Sequence, residues 1–151
     1  VRFWRGWLIA AALVVLLLGA AFVLLAGPVQ RVFESVYLEP QGIVLESDAA
    51  LYVEFIGAVL GAVMVGWAVL LLFVLYGPFR NGERIGWDMI AASLGTWFVL
   101  DTTYSLQSGF WQNAVLNAAL LVLFAVPLAA TYRFFRPRRT QPAFRPDKPR
   151  P

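Results

Sequence analysis

The chain has 151 residues, of which 60% are hydrophobic and 14% charged, with a formal net charge of +3. A soluble domain is typically about half apolar and spreads its apolar residues along periodic faces, whereas here they fall in blocks. With no Cys and no His, disulfides, thiolate zinc, iron–sulfur clusters, His-ligated metal or haem, and every Cys or His mechanism of catalysis are excluded.

Four stretches are long enough to cross a hydrocarbon layer, which takes roughly 20 residues of helix. They are about 7–26, 49–76, 87–106 and 110–132. Their continuous rather than alternating apolar character predicts helices, not barrel strands. The expected fold is an all-α membrane protein, a four-transmembrane-helix bundle spanning residues 1–136.

Arg2 and Arg5 precede the first span. An uncleaved helix is expected there, because the apolar run continues past the roughly 7–15 residues of a signal peptide core. Cleavage within residues 1–21 is the alternative. Gly27-Pro28 is expected to end this helix. In "VQRVFESVYL", Val29, Val32, Phe33, Val36 and Tyr37 share a helical face, so residues 29–38 read as a short helix in the outer interface, or else as a loop. Ser47 or Asp48 caps the second span, and Gly77-Pro78 closes it before the inner turn "RNGER". From 137 to 151 the chain is basic and Pro-rich and reads as a disordered cytoplasmic tail.

The charges set the orientation. Arg2, Arg5, Arg80, Arg84 and Arg133 flank one set of span ends. The loop between spans one and two carries Glu34, Glu39, Glu46 and Asp48 against Arg31 alone. Basic flanks stay inside, which predicts a multi-pass protein with both termini cytoplasmic. All but one of the 12 basic residues are Arg, a bias that fits a GC-rich bacterial genome and hence an inner (cytoplasmic) membrane.

Polar residues inside the spans are the candidate site. At 1.5 Å per residue, Asp101 on the third span lies roughly 10 Å below the outer edge. Glu54 on the second span lies roughly 9 Å deep and Asn117 on the fourth roughly 10 Å, with Asn113 one turn above it. No Lys or Arg within a span can pair with either acid, and Arg31 is the nearest candidate. The expectation is that Glu54 and Asp101 meet, sharing a proton or bonding Asn117, while Trp97 and Tyr104 wall a ligand space. The plainer reading is that these groups only join helices. Gly57 and Gly61, four apart on the Glu54 face, form a small-residue motif for close helix packing.

Four helices with both termini inside, and Glu54, Trp97 and Asp101 in an apolar bundle, resemble the layout of DoxX-like bacterial proteins. They also resemble the emopamil-binding (EXPERA) group, whose bundles cradle apolar ligands between acidic and aromatic residues. The likeness covers the spans in outline, and the His used by sterol isomerases of the second group is missing, so no activity is carried over.

Three functions are weighed: a bundle binding a lipid or small amphipathic ligand in the outer half; an accessory subunit docking a membrane-protein partner or a second copy of itself; and a proton-coupled carrier. A carrier would need paired broken helices, and only Pro127 interrupts a span. Without a nucleophile–base pair, metal ligand set or phosphate loop, no enzyme, cofactor or metal is expected. Nor is nucleic acid, since the basic tail lacks interleaved aromatics apart from Phe144.

Overall fold

The computed structural model describes residues 1–135; the expected disordered tail, 137–151, lies outside the described residues. All regular secondary structure among those residues is helical, with no strand. Five α-helices follow one another: α1 (Arg2–Leu24), α2 (Ala26–Phe33), α3 (Ser47–Tyr76), α4 (Arg84–Gln107) and α5 (Trp111–Thr131). A π-helical turn, Glu34–Leu38, and a 3-10 turn, Glu39–Gln41, extend α2.

Three of the helices, α1, α3 and α5, are long and apolar enough to cross a membrane, and they support an integral membrane protein. The outward surfaces agree: Leu17, Leu51, Phe55, Leu70 and Phe73 are more than half exposed. α4 has the length of a span but carries Arg84, Asp88 and Asp101 among Gly, Ser and Thr, and its composition does not reach that of the other three.

The first break falls earlier than the Gly27-Pro28 dipeptide suggests. α1 ends at Leu24, and Leu25 leaves helical geometry with φ −126° and ψ 38°. Proline supplies no N–H to the carbonyl four residues back, and its ring clashes with that carbonyl. Pro28 therefore ends the ladder at Leu24. It then sits in the first turn of α2, where a missing N–H costs nothing, and the ladder resumes as Val29 N–H donates to the Leu25 carbonyl at 2.9 Å.

α1 and α3 pack antiparallel and most closely of all pairs. Gly61 faces Gly19 there. A methyl group built on Gly61 would stand 2.6 Å from the Gly19 carbonyl oxygen, and one on Gly19 would stand 2.7 Å from that of Gly61. Small residues let helix backbones approach in lipid, and here the approach leaves room for no side chain. Gly57, one turn away, faces the Phe22 ring at an ordinary 3.6 Å.

α4 and α5 form the second hairpin, and α1 lies against α5. Pro127 decides part of this packing. Its missing N–H leaves the Leu123 carbonyl without its helical donor, and Trp7 Nε1 of α1 fills that place at 2.9 Å. Near the end of α5, the Leu128 carbonyl takes Trp87 Nε1 of α4 at 2.9 Å. Two tryptophans thus tie α1 and α4 to backbone carbonyls of α5, the Leu128 carbonyl also accepting from Thr131 Oγ1 at 3.1 Å.

The buried core is one-sided. Leu8, Ala12, Leu71, Leu75, Phe79, Ile90, Phe124 and Leu128 cluster toward the end of the bundle where the basic residues lie. Phe79 of the α3–α4 turn meets Phe135 beyond α5 with ring centroids 4.7 Å apart. The acidic end is looser, and the cavities open there.

Candidate functional site

The α4–α5 turn places most of the polar layer. Gly109 at φ +83° adopts the left-handed geometry that suits glycine, so the chain reverses within Ser108–Phe110. In a tight antiparallel hairpin, residues equidistant from the turn lie level. Ser105 therefore meets Asn113, and Thr102 meets Asn117. Asn113 Nδ2 donates to Asp101 Oδ1 at 3.0 Å and to Ser105 Oγ at 2.8 Å. Ser105 Oγ donates to the Asp101 carbonyl at 2.7 Å and lies 3.3 Å from Oδ1. Asn117 Nδ2 donates to Thr102 Oγ1 at 3.2 Å. Asp101 Oδ1 is thus doubly held, while Oδ2 has no hydrogen-bond partner among the described residues.

This layer forms one end of a cavity of about 390 Å³ that all four long helices line. Asp101, Asn113 and Asn117 face it, and Val15, Leu18, Met64, Leu94, Leu120 and Phe124 make much of the remaining wall. Small-molecule pockets are of this kind, mostly apolar with a few placed polar groups in roughly 300–1,000 Å³. α3 and α4 pack sparsely. Their side-chain link is Trp67 Nε1 donating to Ser93 Oγ at 3.3 Å, with the Trp67 and Trp97 rings 6.0 Å apart. Asp101 lies one helical turn beyond Trp97 toward the acidic end, on the same face.

A second cavity of about 270 Å³ lies between α2, its π-helical extension and α3. Glu54, Gln30 and Glu34 line it among apolar residues. Gln30 Nε2 donates to Glu34 Oε1 at 2.6 Å, and the buried Gln30 Oε1 has no partner among the described residues. Glu54 sits beside Gly27 and makes no hydrogen bond or ion pair with any described residue. Phe22, Phe33 and Leu60 line both cavities and form the wall they share. Phe22 and Phe33 meet edge-on at 5.1 Å, and Phe33 stacks on Tyr37 at 5.0 Å. Tyr37 also approaches Phe110 at 6.5 Å. Burial pushes the Tyr37 hydroxyl above its ordinary pKa, and the negative charge of Asp101 adds to the rise.

The expected residues are therefore divided. Asp101, Asn113, Asn117 and Trp97 share one cavity. Glu54 lines the other and shares no hydrogen bond with Asp101, because the α2 segment inserts Phe33 between the two spaces. Asp101 bonds Asn113 rather than Asn117, which the hairpin register sets beside Thr102. Tyr104 is 71% exposed and lines neither cavity, although its i+3 spacing from Asp101 would set the two on neighbouring positions of one face. On α2, Val32 and Val36 are exposed, and the packed stripe runs instead through Val29, Gln30, Phe33, Glu34 and Tyr37.

Sequence reasoning gave no place in the site to Trp67, Ser93, Thr102 or Tyr37. The first three had a usable signal. Counting outward from the α3–α4 turn sets Trp67 level with Ser93, as counting from Gly109 sets Thr102 level with Asn117. Tyr37 had none, because its approach to Asp101 depends on how α2 folds back. No protein-family profile, no curated protein and no solved structure matches this chain.

Proposed function

We propose that the chain is a four-crossing membrane bundle that holds a lipid or small amphipathic molecule in the cleft between α3 and α4, in the outer half of the bilayer. Both termini and the 77–83 turn face the cytoplasm, and α2 lies along the outer interface.

One observation carries this reading: an apolar cavity of about 390 Å³ ends in a hydrogen-bonded layer of Asp101, Asn113 and Asn117. Intramembrane ionisable groups are functional candidates by default, and this one keeps an unbonded oxygen beside an apolar space. α4 counts as the fourth crossing because it flanks α5 over its whole length. Trp87 touches Leu128 at one end, and Asp101 and Ser105 touch Asn113 at the other. If α5 spans, α4 lies in the bilayer with it.

The accessory-subunit reading has less to stand on. The Gly57–Gly61 face it would offer a partner is used inside the chain by α1.

The test is to extract the protein in native-lipid particles, strip bulk lipid, and weigh what stays bound. One amphipathic class retained at about one per chain, and lost in Asp101→Asn, is the expected result. A retained set matching the bulk membrane in both proteins would refute the binding site.

A further inference from the structure

We infer that the occupant of the α3–α4 cleft carries a cationic nitrogen on an apolar body, with the ammonium group against Asp101 and the Trp67–Trp97 pair and the chain along Leu18, Met64 and Leu120. This rests on the cleft being a binding site and adds the charge of what it binds.

The charge balance of the walls is the first ground. Among the described residues, Asp101 is the only charged one lining the larger cavity, and Glu34 and Glu54 are the only ones lining the smaller. Every charge that the described residues bring to either space is a carboxylate. Arg31, the basic residue of the acidic end, is exposed and lines neither. An anionic head group would meet acids with no cation among the described residues to offset them, and like-charge juxtaposition is strongly unfavourable.

The shape of the polar end is the second. Asn113 and Ser105 both engage Oδ1 of Asp101, which orients the carboxylate and leaves Oδ2 unbonded. A neutral hydroxyl or amide head would be served as well by an asparagine, which avoids the penalty of inserting an acid into the bilayer. An acid is the better residue only where the bound group brings a positive charge.

The aromatic pair is the third. Trp67 and Trp97 line the same cavity one turn below Asp101, their rings 6.0 Å apart and inclined at 39°. Trp faces attract cations best of the aromatic rings, and aromatic cages are the usual receptor for quaternary ammonium. Trp67 donates Nε1 to Ser93, which fixes the orientation of a ring that lines the cavity.

The experiment uses the full chain in nanodiscs of an uncharged galactolipid, so that no lipid amine competes. Three radiolabelled probes share a dodecyl chain and differ in the head: trimethylammonium, hydroxyl and sulfate. Binding is corrected with protein-free discs. The expected result is saturable binding of dodecyltrimethylammonium about ten-fold or more tighter than of dodecanol, with no saturable binding of the sulfate. Asp101→Asn and Trp97→Leu should each remove the preference for the ammonium probe over dodecanol, while unchanged helicity and monodisperse elution certify that the variants remain folded. Competition by tetramethylammonium, which has no chain, would identify a free amine as the ligand's source, and its failure to compete a chain-bearing lipid. Equal binding of all three probes would overturn the charge assignment and leave the cleft reading standing. Preference for the sulfate would overturn it outright. Saturable binding of none of them would remove the cleft reading itself.

Discussion

At the scale of single residues, the glycines of α3 separate packing from exposure. Gly61 stands against the Gly19 carbonyl, with 2.6 Å to an added methyl, whereas Gly66 has nothing within 4 Å. Gly61→Ala should destabilise the bundle by about 1–3 kcal/mol, the usual range for overpacking. Gly66→Ala, on an exposed helix surface, should stabilise by about 0.5–1 kcal/mol through helix propensity. Reversible unfolding in mixed micelles, followed by helicity, measures both, and similar effects at the two positions would contradict the packing. Gly61 could be read from the sequence because spacing of small residues on a helix is local information. So could the nearness of Asp101, Asn113 and Asn117 along the axes of α4 and α5, which follows from rise per residue. Which acid meets which amide could not, since that depends on two hairpin registers and on Phe33 reaching into the space beside Phe22.

At the scale of elements, Pro127 and Trp7 make one device. The proline removes the N–H that would satisfy the Leu123 carbonyl, and the indole replaces it at 2.9 Å. Trp7→Phe should therefore cost about 1 kcal/mol, since interhelical hydrogen bonds in lipid are modest. In a Pro127→Ala background the helix supplies its own donor, and the same substitution should cost much less. A double-mutant cycle on unfolding free energy measures the difference, and additive effects would show that the indole bond does not compensate the proline. The sequence placed the long helices to within a few residues, because continuous apolar runs and turn dipeptides are strong signals. It was less exact at their ends. α1 begins at Arg2 rather than near residue 7, since arginine is a good helix former too. α1 also stops at Leu24, because a proline acts on the carbonyl four residues behind it rather than at its own position.

At the scale of the whole molecule, the question is whether α4 crosses. It carries more polar groups than the other long helices, so apolarity alone does not count it as a span. Packing and charge argue that it crosses. Its partners on α5 run from Leu128 to Asn113, and the two ends of the bundle differ in sign. Arg2, Arg5, Arg80 and Arg84 lie at the end where Phe79 meets Phe135, while Glu39, Glu46 and Asp48 precede α3 at the other. A transmembrane arrangement puts those basic residues inside. The absence of cysteine makes the test direct, because single cysteines can be introduced without a background. Asn81→Cys in the α3–α4 turn and Ser108→Cys in the α4–α5 turn should react with an impermeant maleimide from opposite sides of intact cells or spheroplasts. Ser108→Cys should label from outside, and Asn81→Cys only after the membrane is opened. If both label from the same side, α4 does not cross. Asp101 would then lie near an aqueous surface, and the physical reason for treating it as more than a solvated acid would be gone.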